Sequence, residues 1–284
     1  MNGSGLEEVI AWFFEDYLAD EFRAFNFSFR PSSIGASYLE RARHLFAEME
    51  SVVAQFSLFV EDGELDRDLL AITSDQVRYK QVPSLLPGKY VYRSESPEIV
   101  GILHTMFSDQ SALAHINEGL EGSDAARLLL EKAVAYDDFH DYQKRIVDDL
   151  MGLGILEETG SRVRIANAER FSILNRLFTT QACSYYHLSE SGRAELDAME
   201  AKGWVVRRAS LLTEAEGQYF NYLLNKVDFS NGPEWRNKYL HGSQADGDGE
   251  GSHFAAYITA LRSIVALVIK MNDDFCLSAN ADTA

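Results

Sequence analysis

The sequence is poor in cysteine and proline, with 2 cysteines and 5 prolines among 284 residues. Cys183 and Cys276 are far apart, so they provide no disulfide framework and suit a reducing compartment. The few prolines exclude a collagen-like or proline-rich class. What remains is the composition of an ordinary globular protein, with 46% hydrophobic and 25% charged residues.

Positive charge is also scarce. The chain has 26 lysines and arginines against 44 aspartates and glutamates, a formal net charge of −18. Proteins that coat long stretches of nucleic acid usually carry a basic face that releases counterions from the phosphates. The acidic balance therefore restricts any contact with nucleic acid to a small local site.

The sequence also lacks a long uninterrupted apolar run. The apolar runs that it has are far shorter than the ~18 residues of a membrane span. The acidic residues Glu7, Glu8, Glu15 and Asp16 stand where a signal peptide needs basic residues. The sequence therefore predicts a soluble cytoplasmic protein with no membrane contact.

Hydrophobic periodicity predicts a mainly α-helical fold. Apolar residues recur at helical intervals in segments 6–25 and 33–60, with a helix start signal at Pro31 followed by two serines. The pattern then weakens, and residues 89–93 alternate like a short strand or a linker. We expect an N-terminal helical region at residues 1–95.

The central region, residues 96–208, predicts short helices followed by a β-hairpin. Two strand-like runs flank a Gly-Ser turn within residues 155–165. Helices followed by such a hairpin resemble a winged helix, and residues 190–206 repeat the pattern faintly. The helices are expected near residues 97–107, 110–119, 124–135 and 139–153.

The C-terminal region, residues 209–284, predicts a helical bundle. Thr213 with Glu216 forms a capping-box pattern, and Pro233 suits the first position of the next helix. The last helix, about 253–274, carries an apolar stripe wide enough to be buried on two sides, in a bundle or against a second copy. Three helices are too few for a bundle, so N-terminal helices are expected to complete it.

Chemically competent side chains are concentrated between Gly232 and Gly242. On a helix Asn237 and His241 share a face, and the long side chain of Arg236 reaches the same neighbourhood. An imidazole exchanges protons near neutral pH, and a guanidinium offers a fork of donors to a phosphate. These groups suit phosphodiester cleavage without a metal. The alternative is structural, with a histidine at the helix terminus and an arginine that is solvated or paired with Glu234.

Arg236-Asn237 followed by His241-Gly242 resembles the motif of the HEPN superfamily. In that motif an arginine, commonly followed by a polar residue, precedes a histidine by four to six intervening residues; here four intervene. The similarity covers residues 211–275 and does not extend to the first 200 residues. It implies a helical bundle that forms a homodimer with two motifs facing one cleft. Many members are metal-independent endoribonucleases of toxin-antitoxin, abortive-infection or other antiviral systems.

The resemblance also implies roles for individual residues. His241 would act as general acid or base, Arg236 would stabilise charge on the phosphate, and Asn237 would orient one of them. The products would be a 2′,3′-cyclic phosphate and a 5′-hydroxyl. Lys238 is a candidate phosphate contact and Tyr239 a candidate stacking platform for a base. Some members carry a tyrosine at the position of Ser243, so membership of that branch is not assigned.

Two further functions remain open. HEPN proteins that have lost catalysis bind RNA or proteins, so the bundle could be a sensor or a module that holds a regulatory protein partner. Alternatively, a winged-helix DNA-binding regulator could use the bundle for dimerisation. Acidic residues in the candidate recognition helix favour a protein partner over DNA. The basic residues that would face DNA are Lys144, Arg145, Arg162, Arg164, Arg170 and Arg176.

The sequence predicts no cofactor and no metal. The loop from Asp246 to Gly251 begins like an EF-hand, but Tyr257 occupies the twelfth position, where calcium needs a bidentate glutamate. Cys183 and His187 lack a second pair of ligands with zinc spacing.

Overall fold

The computed structural model describes residues 5–72, 77–225, 229, 231–240 and 249–281, and it is mainly α-helical, as the periodicity predicts. In chain order the helices are α1 (Leu6–Trp12), a π-helical turn (Phe13–Tyr17), α2 (Leu18–Phe22), α3 (Tyr38–Asp62), α4 (Arg67–Ile72), α5 (Pro97–Phe107), α6 (Ala125–Glu131), α7 (Asp141–Gly152), α8 (Ala168–Thr179), α9 (Glu190–Ala201), α10 (Glu214–Leu224), α11 (Trp235–Leu240) and α12 (Glu250–Ala281).

The strands are short and antiparallel. They are β1 (Tyr90–Arg93), β2 (His115–Asn117), β3 (Leu120–Glu121), β4 (Leu156–Thr159), β5 (Arg162–Ile165), β6 (Cys183–Ser184) and β7 (Val205–Arg208). Single 3-10 turns lie at Tyr79–Gln81, Tyr136–Asp138 and Tyr185–His187.

The chain divides into two compact units, and the first combines both ends of the sequence, residues 1–87 and 209–284. Within it, Leu211 N–H donates to the carbonyl of Val82 over 2.9 Å, and Pro83 bridges to Ser210. Helix α3 packs against α11 and α12, and α1 contacts α12, so N-terminal and C-terminal helices share one core. The first boundary lies at residue 87 rather than 95, because β1 belongs to the sheet of the second unit.

Helices α3 and α12 form the centre of the first unit. Each presents one apolar face at helical spacing to the common core. From α3 these are Leu45, Phe46, Met49, Val52, Val53 and Phe56, and from α12 Ala256, Ala260, Ile264, Leu267, Met271 and Phe275, all less than a twentieth exposed.

The start of α3 differs from the prediction. The helix begins at Tyr38, where the hydroxyl of Ser37 accepts from Glu40 N–H and the carboxylate of Glu40 accepts from Ser37 N–H. This capping box defines the first turn. Upstream, Ile34 and Gly35 form a turn that the carbonyl of Ser33 closes by accepting from Ala36 N–H over 3.1 Å, so the serines after Pro31 precede a turn rather than a helix.

The second unit spans residues 88–208. The predicted hairpin is confirmed, with β4 and β5 paired from Leu156 opposite Ile165 to Thr159 opposite Arg162. A three-stranded sheet has the order β6-β1-β7. The helix predicted at 110–119 is wrong, because the Ser111 hydroxyl donates to Thr105 and organises a turn that leads into β2.

Helix α12 is the one described helix that is long and apolar enough for a membrane span, over 31 residues from Glu250 to Asn280. Its apolar residues are interrupted by polar ones, which is why the sequence shows no continuous run. Core helices of soluble proteins meet the same criterion, and α12 packs its apolar face against α3. The arrangement is consistent with a soluble protein.

Candidate functional site

The HEPN-like motif begins on α11, which packs against α3 in the first unit. The helix begins at Trp235, so the prediction that Pro233 occupies its first position is wrong. Glu234 has a left-handed φ of 51°, so a regular helix does not extend back through it. Its carbonyl accepts from Lys238 N–H over 2.9 Å. The approach to the helix is tight at Gly232, where an added Cβ would lie 2.2 Å from the carbonyl oxygen of Tyr222.

Arg236 makes a two-point contact with Glu50 of α3. Its Nε donates to Oε1 over 2.6 Å and its Nη2 to Oε2 over 3.0 Å. Its Nη1 donates to Oδ1 of Asn237 over 3.2 Å. The paired side chains are only 11% and 21% exposed, so the contact is a partly desolvated ion pair rather than a surface one. The sequence also allows a structural role in which Arg236 pairs with a carboxylate, and Glu50 supplies one.

Sequence reasoning missed Glu50, which lies 186 residues from Arg236. One signal was present: Glu50 is four residues after Phe46 and three before Val53, and both are buried. A carboxylate on the apolar stripe of a helix needs a partner, because an unpaired charge is costly to bury.

Tyr79 lies within the electrostatic range of this ion pair. Its ring stacks on Phe220 with centroids 5.0 Å apart, and it is 1% exposed. Its hydroxyl has no hydrogen-bond partner among the described residues. Burial raises the pKa of Tyr79 far above its usual value, the negative charge of Glu50 raises it further, and Arg236 opposes both. The hydroxyl therefore stays protonated, and the described residues offer it no acceptor.

The two predicted substrate-binding residues have different surroundings. Tyr239 is 2% exposed, and its hydroxyl lies 2.9 Å from Nδ1 of His253, which is also buried. The Tyr239 ring contacts Phe46 and Trp235, so its burial favours a core role over stacking on a base. Lys238 is half-buried, with its ammonium 6.0 Å from the centre of the Trp235 ring.

His241, the predicted acid or base, lies outside the described residues, as does Gly242. The described helix reaches Leu240, the residue before it. The described part of the site therefore brings together Arg236, Asn237 and Glu50, and the charges of Arg236 and Glu50 both act on Tyr79.

The basic residues predicted to face DNA in the second unit are partly engaged. Arg170 donates to Glu195 over 2.9 Å and to the carbonyl of Gly154, and Lys144 lies 3.6 Å from Asp137. The remaining four are exposed, and Arg164 pairs in register with Glu157 across the hairpin. The exposed ones are Arg145, Arg162, Arg164 and Arg176.

A groove of about 500 Å³ runs between α10 and α12 in the first unit. Its walls are mainly apolar, with the Lys270–Glu216 ion pair at 2.7 Å on one side. Tyr219 of α10 lines the groove and is 61% exposed. Residues on the groove include Leu212, Phe220, Leu223, Ser263 and Ala266.

Among the described residues, no group of three or more histidine, cysteine, aspartate or glutamate side chains is placed to hold a metal ion. No protein-family model, curated protein or solved structure matches the chain. The motif and the contacts of its side chains are therefore the features that indicate a function.

Replacing Gly232 with alanine should destabilise the protein, since the new Cβ would collide with the Tyr222 carbonyl and displace the chain that leads into α11. Overpacking of this kind costs roughly 1–3 kcal/mol. Urea unfolding would measure the loss. Gly251→Ala is the matched control, because nothing lies within 4 Å of its added Cβ. Equal unfolding midpoints for the two variants would contradict the predicted clash.

Proposed function

We propose that the protein is a metal-independent endoribonuclease of HEPN type. The observation that supports this best is the placement of Arg236: Glu50 and Asn237 hold its guanidinium in a partly buried position on α11, and Arg236 precedes His241 by five residues in the sequence. A fixed guanidinium is preorganised for the charge that develops on a phosphate, whereas a solvated one is not. The proposed setting is cytoplasmic, in antiviral defence or a toxin-antitoxin pair.

The proposed reaction uses the 2′-hydroxyl of RNA as the nucleophile. His241 takes the proton from that hydroxyl or gives one to the departing 5′-oxygen, and Arg236 stabilises the extra negative charge on the phosphate oxygens. The 2′-oxygen forms a bond to phosphorus as the bond to the 5′-oxygen breaks. The products are a 2′,3′-cyclic phosphate and a 5′-hydroxyl, and the transfer needs no metal.

Purified protein should cleave RNA in the presence of EDTA and leave cyclic-phosphate ends, while the all-deoxy version of the same oligonucleotide stays intact. His241→Ala should reduce the rate by ~100-fold or more, the usual contribution of a general acid or base. His115→Ala is the control, since its side chain is exposed and lies in the second unit. Undiminished cleavage by His241→Ala would refute the assignment. Absence of cleavage by the wild-type chain would favour the non-catalytic binding module.

The proposed nuclease acts as a homodimer through the face formed by α10 and α12, where the groove and the exposed Tyr219 lie. Light scattering should give twice the chain mass of 31.9 kDa. Tyr219→Arg should lower this to the monomer value by placing a charge in an apolar interface. Leu130→Arg is matched, because Tyr219 and Leu130 are 61% and 62% exposed and Leu130 lies in the second unit. A monomeric wild-type protein would exclude a stable dimer.

For the second unit we propose a winged-helix-like module that binds a protein partner. The engagement of Arg170 and Lys144 by carboxylates weakens the basic surface that DNA binding would require. The protein should therefore bind duplex DNA no better than an acidic protein of similar size at ~150 mM salt. Arg162→Ala with Arg164→Ala should leave this weak binding unchanged. Salt-sensitive binding that the double variant removes would support the DNA-binding regulator instead.

A further inference from the structure

The contact between Glu50 and Arg236 occupies the edge of the guanidinium that is best suited to a phosphate. A guanidinium binds carboxylates and phosphates through the same parallel pair of N–H donors. In Arg236 that pair is Nε and Nη2, which point at the two oxygens of Glu50 over 2.6 and 3.0 Å. A phosphate cannot use these donors while the carboxylate holds them.

The position of Glu50 on α3 favours its ion pair with Arg236. It projects from the middle of the long helix α3, on the stripe that includes the buried Phe46 and Val53. Little side-chain freedom is lost on pairing, and partial burial of both partners protects the pair from screening by salt. The carboxylate is therefore a strong internal competitor for any anion that approaches Arg236.

The hydroxyl of Tyr79 supplies a second observation. It is buried in the electrostatic field of both Glu50 and Arg236 and has no hydrogen-bond partner among the described residues. A buried donor without an acceptor costs free energy, so its presence beside a candidate anion site calls for an explanation. A phosphate has more acceptor oxygens than a carboxylate and could accept from this hydroxyl as well as from the guanidinium.

We propose that Glu50 is the resting occupant of a phosphate site on Arg236, and that a substrate phosphate displaces it and accepts a hydrogen bond from Tyr79. The inference rests on the proposed ribonuclease function. It makes Glu50 a positioning residue that keeps Arg236 in place until substrate binds, and that lowers the affinity for RNA. Tyr79 becomes a binding residue whose hydroxyl is used only when substrate is present.

Glu50→Gln tests this proposal, because glutamine keeps the shape of the side chain and can accept one N–H but carries no charge. The probe is a short RNA with 2′-O-methyl groups, which binds but cannot be cleaved. Removal of the competing charge should lower Kd about tenfold, in line with the strength of a charge-assisted contact. The dependence of Kd on salt concentration should also become steeper, by the amount expected for about one additional phosphate contact. During cleavage of ordinary RNA the gain should appear in KM rather than in kcat.

Glu61→Gln is the matched control, since it makes the same charge change on an exposed turn of α3. If both variants strengthen binding equally, the effect is one of net charge and the proposal fails. It also fails if Glu50→Gln unfolds like the wild type in urea but binds RNA no more tightly. Arg236→Gln should remove the gain when combined with Glu50→Gln.

Tyr79→Phe tests the proposed hydrogen bond from Tyr79 to the phosphate. It should leave the fold intact, because it deletes a hydroxyl that has no partner among the described residues. In the Glu50→Gln background it should raise Kd severalfold, and an unchanged Kd would exclude Tyr79 from the site. The outcomes separate this inference from the nuclease assignment. Tighter RNA binding by Glu50→Gln without any cleavage would support the displacement of Glu50 and refute the nuclease assignment. Cleavage that depends on His241, with unchanged Kd and KM in Glu50→Gln, would support the nuclease assignment and refute the displacement of Glu50.

Discussion

The packing of α3 against α12 is the constraint on which the candidate site depends. The two helices come from opposite ends of the sequence, and their apolar stripes bury each other in one core. This pairing brings the N-terminal segment into the same unit as α11, and it thereby places Glu50 within hydrogen-bond distance of Arg236. Substitutions deep in this core, at Phe46 or Leu267, would disturb the site although neither residue bears a functional group.

Local patterns predicted much of the fold. Helices with strong periodicity or a capping box were found because their signals depend on residues three or four apart, as for Thr213 with Glu216. The hairpin at β4 and β5 was found through its Gly-Ser turn. The segment around Ser111 was mistaken for a helix, since the contact that organises it, from its hydroxyl to the Thr105 carbonyl, is invisible in a periodicity count. The membership of β1 in a sheet with β6 and β7 depends on distant residues in the same way.

The residues of the site fall into the same two groups, those that local sequence reveals and those that only the fold brings to the site. Arg236 and Asn237 could be named from the motif because they are neighbours in sequence, and the structure places them in contact. Glu50 and Tyr79 could not be named, since they reach the site only through the fold. Tyr239 was chosen for its aromatic ring, but an aromatic residue at helical spacing from Trp235 is equally suited to a core, and the core is where it lies.

The acidic composition and the Glu50–Arg236 ion pair both oppose RNA binding. A net charge of −18 repels RNA at long range, and the carboxylate of Glu50 cancels at short range the charge that a phosphate would meet. Neither effect alone prevents binding, because long-range repulsion is screened within about 8 Å at physiological salt and a single competing carboxylate can be displaced. Acting together, they require a substrate to contribute binding energy from elsewhere before its phosphate reaches Arg236. A nuclease built in this way would discriminate among RNAs by contacts remote from the cleaved bond, since binding energy from non-reacting parts of a substrate can offset the cost of displacing Glu50.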